Sequence, residues 1–344
     1  MSNTFETVNG QMETPGKAIP HYTVKTVNLR MSKLHQEYYD DSTFEWRKKL
    51  YVPSETGRPI TSVKQQNSEA AVTINMEAYR GLQLASFDGQ LIKLVQRRVK
   101  EVPAGTAKEV ASWYDLDDDH GITYKYYRTL PSDAWFLTLP TNRLQAAIGA
   151  MGLSPKLKAI VLQVAEWKAK GERCLVFLNW PMSQWATEGV LHLLGFKVMS
   201  ILSAHKAEDR RKAIEAFNDP KHDVDVMLIG FRIGGYGLNF HHACSKMIIA
   251  EYPTSIDILL HVFGRLHRLG QKKVQEIIIL FLENSFDGWI RNKMSEKFVN
   301  KLVAEGKFDG ADFKEMQTEA RSILANHLGE DDVSGVSDDL YASG

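Results

Sequence analysis

Two segments of this 344-residue chain carry residue types and spacings that could do chemistry. The first is Gly230-Phe-Arg-Ile-Gly-Gly-Tyr-Gly-Leu-Asn239, in which Gly234, Gly235 and Gly237 fall within four positions after an apolar run. Glycines so placed let the backbone turn sharply, approach a ligand closely and offer N–H groups to an anion. A tight turn with no ligand fits the same residues. The segment is not a dinucleotide fingerprint, because Phe240 stands where the third glycine of G-x-G-x-x-G belongs. The second segment is His261-Val-Phe-Gly-Arg265-Leu-His267-Arg268-Leu-Gly270-Gln271. The spacing predicts a helix over Ser255–Leu269, with Val262, Phe263, Leu266 and Leu269 apolar and Arg265 and Arg268 sharing a face. Two guanidiniums aimed the same way can each give paired hydrogen bonds to a phosphate. A pair of surface salt bridges is the plainer reading of the same arginines.

The elements that must position these segments follow from the apolar periodicity. Lys156–Lys170 reads as a helix with Leu157, Ile160, Val161, Val164 and Trp167 on one face, ended by Gly171. Cys174–Leu178 is a continuous apolar run, as expected of a strand buried on both sides. The alternation continues with a helix over Ser183–Leu194, a strand over Lys197–Leu202, a helix over Ala207–Phe217 and a strand over Val224–Ile229. Strands over Lys246–Ala250 and Val274–Leu282 flank the arginine-bearing helix, and a last helix covers Phe286–Ala304. Strand–helix alternation with short connections implies an α/β fold with a parallel sheet covered on both faces. Such sheets put their working loops at the carboxyl ends of the strands.

The flanks are less regular. Residues 1–20 and the acidic, Ser- and Gly-rich end after Gly329 read as disordered. Tyr22–Met31 could form one strand, followed by a helix capped by Ser32. From Asp40 to Asn142 short apolar clusters suggest helical extensions without a strong core of their own. Net charge is zero, but residues 151–300 hold 20 Lys and Arg against 15 Asp and Glu, and residues 301–344 hold 4 against 10. A mildly basic centre is compatible with nucleic acid and does not argue for it. Two cysteines, Cys174 and Cys244, exclude a disulfide framework or a cysteine-built zinc site, and no run of 18 apolar residues predicts a membrane span. The eleven histidines give no metal-ligand spacing, His241 and His242 being adjacent.

Order and spacing distinguish these segments from chance. A strand, then Arg232–Asn239, another strand, and a helix ending in Arg265–Gln271, all after a β-α-β-α unit, resembles the second RecA-like lobe of Swi/Snf-type DNA-translocating ATPases. Arg232–Asn239 looks like the family's fifth motif and Arg265–Gln271 like its sixth. Cys174–Trp180 resembles the fourth, Ser203–Asn218 the segment that follows it, and Ser154–Leu157 the lead into the lobe. Tyr22–Tyr39 is similar to the end of a first lobe. The resemblance implies a three-layer RecA-like lobe over 151–305 with a mainly parallel sheet. Residues 21–150 would be the end of a first lobe with irregular helical extensions, and 306–344 a helical, then acidic tail.

It also implies roles. Arg265 and Arg268 would be arginine fingers reaching the γ-phosphate of ATP, with Gly235, Gly237 and Gln271 completing the nucleotide contacts. Asn179, Trp180, Ser203 and Arg232 would lie near DNA phosphates. ATP with Mg²⁺ would be used only in partnership with a first lobe, which could be supplied in trans, because no G-x-x-x-x-G-K-[ST] occurs in these 344 residues. Asp117–His120 superficially matches an acidic box, but no apolar strand precedes it. Duplex DNA or chromatin would be the substrate and the nucleus the location, otherwise the cytoplasm. Three departures stand inside the lobe: Gly230-Phe231 where Ser or Thr usually precedes the motif's basic residue, Ile233 in place of a small residue, and His261 in place of Gln. They leave open a second reading, a non-catalytic DNA-binding or regulatory module derived from the same lobe.

Overall fold

The computed structural model describes residues 5–6, 12–13, 19–53, 72–96, 120–122, 140–152, 154–234, 239–304, 322 and 325. The acidic end after Gly329, Asp117–Asp119 of the acidic box, and Gly235 and Gly237 lie outside them. In the lead-in expected to be disordered, β1 (Phe5–Glu6) and β2 (Met12–Glu13) pair antiparallel.

The body is one six-stranded sheet. Its strands are β3 (Tyr22–Leu29), β6 (Arg173–Leu178), β7 (Val198–Ile201), β8 (Val226–Gly230), β9 (Cys244–Ile249) and β10 (Gln275–Leu282), in the order β3-β10-β9-β6-β8-β7. Every neighbouring pair is parallel. The expected β-α-β alternation over 151–305 is therefore present, with boundaries shifted by at most two residues except where noted below. In β6, Leu175 and Phe177 face one core while Cys174, Val176 and Leu178 face the other, the two-residue alternation of a strand covered on both sides. Each buried aliphatic or aromatic side chain is worth roughly 1.5–3 kcal/mol relative to exposure, which is why these runs carry almost no polar residue.

Helices α1 (Lys33–Lys48), α2 (Met76–Phe87), α3 (Gly89–Gln96), α4 (Arg143–Met151) and α5 (Pro155–Ala169) come before β6. α6 (Pro181–Leu193), α7 (Ala207–Asn218), the single turn α8 (Phe231–Gly234), α9 (Ile256–Phe263) and α10 (Phe286–Ala304) follow it. Strands β4 (Tyr51–Pro53) and β5 (Val72–Ile74) form a separate antiparallel pair. α7, α9 and α10 pack with α2 on one face of the sheet; α4, α5 and α6 cover the other. Ser32, Asn75, Asn142, Ser154 and Ser255 cap their helices by accepting a backbone N–H. Gly171 and Gly195 adopt φ of 69° and 78° just past α5 and α6, the left-handed conformation that ends a helix.

The expected boundary at residue 151 is not a break in packing. β3 pairs with β10 over eight consecutive residues, from Tyr22 opposite Gln275 to Leu29 opposite Leu282. Arg30 extends this contact through an ion pair to Glu283 at 2.8 Å. α2 contributes Leu82 and Tyr79 to one core and Leu84 and Phe87 to the other. The segments expected to have no strong core of their own thus complete the cores of the sheet.

Candidate functional site

In a parallel sheet the loops segregate to two edges, and the candidate residues divide between them. At the carboxyl edge, Asn179 and Trp180 follow β6, Ser203 follows β7, Arg232 lies in α8 after β8, and Glu251 follows β9. At the amino edge, Arg265–Gln271 lead into β10.

The β6 corner of the carboxyl edge is tightly bound. Asn179 Nδ2 and Trp180 Nε1 both donate to Gln83 Oε1, at 2.7 and 2.8 Å, and Gln83 Nε2 donates to the carbonyl of Tyr252 at 2.7 Å. Helix α2 is thereby tied across the ends of β6 and β9. Beneath it, the fully buried Glu251 carboxylate accepts from the Asn179 N–H at 2.7 Å, the Trp180 N–H at 3.3 Å and the Ser183 hydroxyl at 3.0 Å. Trp180 is the N-cap of α6 and makes no side-chain cap bond, so Glu251, distant in sequence, serves the orphan donors there. Burial raises the Glu251 carboxyl to about 7, opposed by these hydrogen bonds and by the charge of Lys156. Lys156 is itself fully buried and ion-paired to Asp287 at 2.6 Å. Burial likewise raises Asp287, with Lys156 opposing.

Ser203 and Arg232 are exposed, and Ser203 offers its carbonyl to Arg210 Nη2 at 2.7 Å. Phe231, beside Arg232, is buried and packs its ring 5.6 Å from that of Phe177. The residue expected to carry a hydroxyl is here part of the core.

The amino edge differs from the expected geometry. The helix predicted over Ser255–Leu269 ends at Phe263, with Gly264 as its C-cap, and Arg265–Gly270 continue as successive tight turns. Val262, Phe263 and Leu266 are buried as expected, whereas Leu269 is 71% exposed. Arg265 and Arg268 therefore sit on a turn rather than on one helical face. The turn is held from three sides. Gln271 Nε2 donates to the carbonyls of Cys244 and Leu266 at 3.0 and 3.3 Å, while its Oε1 accepts from Lys272 and Lys273 N–H, both at 3.0 Å. His267 Nδ1 lies 2.8 Å from Gln275 Oε1 and its ring packs 4.9 Å from Tyr22. Gly270, at φ 96°, leaves 3.4 Å between a would-be Cβ and His241 Nε2. Burial, then the neighbouring Arg268 charge, lowers Arg265 below the ordinary guanidinium value. Two cations close enough to perturb one another suit a polyanion.

Residues 155–270 match the family described as helicase conserved C-terminal domain. That stretch is similar to a helicase C-terminal domain. Over 174 residues, 49% of this chain, the sequence is 32% identical to the chromatin structure-remodeling complex subunit snf21 of Schizosaccharomyces pombe. Over 170 residues, 48% of this chain, it is 29% identical to the nuclear protein STH1/NPS1 of Saccharomyces cerevisiae. The chain spans 14% and 12% of the length of those two relatives. The fold is similar to the crystal structure of the C-terminal part of the Fun30 ATPase domain, with a TM-score of 0.52 at 17% identity, covering 91% of this chain and 99% of that one. The α/β, RecA-like architecture expected from the sequence is thus shown.

Around the sheet, sequence reasoning missed Gln83, Glu251 and the Lys156–Asp287 pair. Glu251 had a legible signal: a carboxylate directly after the apolar run Met247–Ala250 sits at the carboxyl edge of a central strand. Lys156 had a weaker one, lying next to Leu157 on the apolar side of its helix. Gln83 had none, since its role depends on the docking of α2 against strands about a hundred residues away. Among the described residues no cluster of His, Cys, Asp or Glu could hold a metal ion, and no helix is long and apolar enough to cross a membrane.

Proposed function

We propose that this chain supplies the arginine-bearing half of an ATP-driven translocase acting on duplex DNA or chromatin in the nucleus, and works with a first RecA-like lobe that cradles the nucleotide. The observation that carries the reading is the fixed pair Arg265 and Arg268 on a turn braced by Gln271. Facing a partner lobe, the two guanidiniums would set positive charge against the terminal phosphate, where charge develops as the phosphoryl group leaves. ATP supplies the transferable phosphoryl group. Gln271, its amide spent on backbone groups, positions the arginines. The described residues offer no ligand set for Mg²⁺, which in this reading is held by the partner lobe. Arg232 and Ser203, exposed at the carboxyl edge, are the backbone-contacting residues on the DNA side. Such contacts give affinity without sequence preference, which suits a motor that moves along DNA.

An arginine in this role is worth about 10³–10⁵ in rate. The purified chain should hydrolyse ATP negligibly alone. Mixed with a first lobe and duplex DNA, it should turn over, and Arg268→Ala should cut that rate by about 10³-fold or more. Turnover by the chain alone, abolished by Arg268→Ala, would overturn the division of labour. A second reading, a non-catalytic DNA-binding or regulatory module, is favoured by the burial of Phe231 where a hydroxyl would meet phosphate. It predicts salt-dependent DNA binding with no turnover in any mixture.

A further inference from the structure

The β6 corner of the carboxyl edge has a donor problem. Asn179 and Trp180 were expected to face phosphates, yet the single Trp180 indole N–H and one of the two Asn179 amide N–H groups are given to Gln83 Oε1. What the corner presents outward lies one helical turn before Gln83 on α2. Arg80 is exposed, and its guanidinium carbon sits 5.6 Å from the centroid of the Trp180 ring. No carboxylate pairs with Arg80 among the described residues. An exposed arginine ordinarily loses much rotamer freedom on binding a phosphate; one held over an aromatic face has lost part of it already and keeps its N–H edge free. Trp180 is fixed in turn, because Gln83 grips its Nε1 and Glu251 its backbone N–H. Arg80 thus stands on a braced platform at the same edge as Arg232 and Ser203, its charge unpaired among the described residues.

We propose that Arg80, seated on Trp180, is the phosphate-contacting residue at this corner, with the phosphodiester backbone of duplex DNA as its ligand; this rests on the reading that the carboxyl edge meets DNA. Helix α2, outside the matched helicase domain, then supplies part of the nucleic-acid face.

The test is equilibrium binding of the full chain to a labelled duplex at several salt concentrations. Each phosphate neutralised contributes about 0.9 to the slope of log K against log salt. Arg80→Ala should lower that slope by about 0.9, and Arg80→Lys, which keeps the charge, should leave it near the wild-type value. Both variants should unfold at the wild-type midpoint, since Arg80 is exposed. Arg232→Ala serves as the parallel arm. If Arg232→Ala lowers the slope and Arg80→Ala does not, the inference fails while the functional reading stands. Weaker binding by Arg80→Ala at an unchanged slope would also overturn it, marking Arg80 as structural. If the wild-type chain shows no salt-dependent binding, both fall together.

Discussion

Glu251 provides a quantitative test of how the carboxyl edge is held together. Its carboxyl is buried, takes three hydrogen bonds and is raised from an ordinary value of 4.5 to about 7. The folded protein therefore holds this proton more tightly than the unfolded chain. The stabilisation from that proton is fully present below pH 4.5 and is lost as pH rises through 7. Between about pH 5 and pH 8 the loss amounts to about 2.5 kcal/mol, from the difference in proton binding at those two values. Glu251→Gln keeps an acceptor oxygen for the Asn179 N–H and does not titrate. Urea-derived unfolding free energies should be measured for both proteins across that range. Wild type minus variant should fall by about 2.5 kcal/mol as pH rises. Other shifted groups, namely Asp287, raised, and His35 and His241, lowered, are common to both proteins and cancel in the difference. Parallel curves would show that the carboxyl titrates near its ordinary value. A difference that grows with pH would show that the hydrogen bonds and Lys156 outweigh burial, refuting the argument.

Two further outcomes follow from buried groups. Lys156→Ala leaves the Asp287 carboxylate without its cation in a fully buried site, and should cost about 3–5 kcal/mol by chemical denaturation. Combining Lys156→Met with Asp287→Asn, which keeps an acceptor for the Leu282 N–H, should recover most of it; a single-variant cost below about 1 kcal/mol would contradict the buried-pair assignment. Phe231→Ser restores the residue type usual at that motif position but empties the space against Phe177. A loss of about 3 kcal/mol or more in stability is expected, with no gain in DNA affinity; tighter binding by a stably folded variant would show that the hydroxyl had been the missing contact.

How much of this was legible beforehand depended on whether burial and sequence neighbours told the same story. β6, β8, β9 and β10 each hold a continuous apolar run because both faces are covered there, so their existence needed no tertiary information. β3 was legible as a strand but not as part of this sheet, since its pairing with β10 spans some 250 residues, as in Arg30 with Glu283. α2 was blurred because its buried positions include Gly81, Gln83 and Ser86, which carry no apolar signal. Gly81 is small for a reason no local pattern reveals: a Cβ there would meet the Trp46 ring at 3.0 Å. The helix through the arginines was drawn too long because apolar spacing continues to Leu269, while the backbone leaves the helix at Gly264. The residue types of the arginine site were thus readable, but their geometry was not.

The corrected geometry separates the two halves of the site. In a sheet whose strands all run the same way, the turn before β10 and the loops after β6, β8 and β9 lie at opposite edges, about 20 Å apart for a six-residue strand such as β9. β9 touches both. Gln271 holds the carbonyl of Cys244, its first residue, and Glu251, just past its last, holds the backbone at Asn179 and Trp180. The arginine-bearing turn and the β6 corner are therefore gripped at the two ends of one central strand with both neighbours in place. A hydrogen-bonded strand of that kind is stiff along its length, so the two edges are held in fixed relation through the interior. In a lobe built this way, movement between nucleotide states would involve the lobe as a unit more readily than one edge against the other.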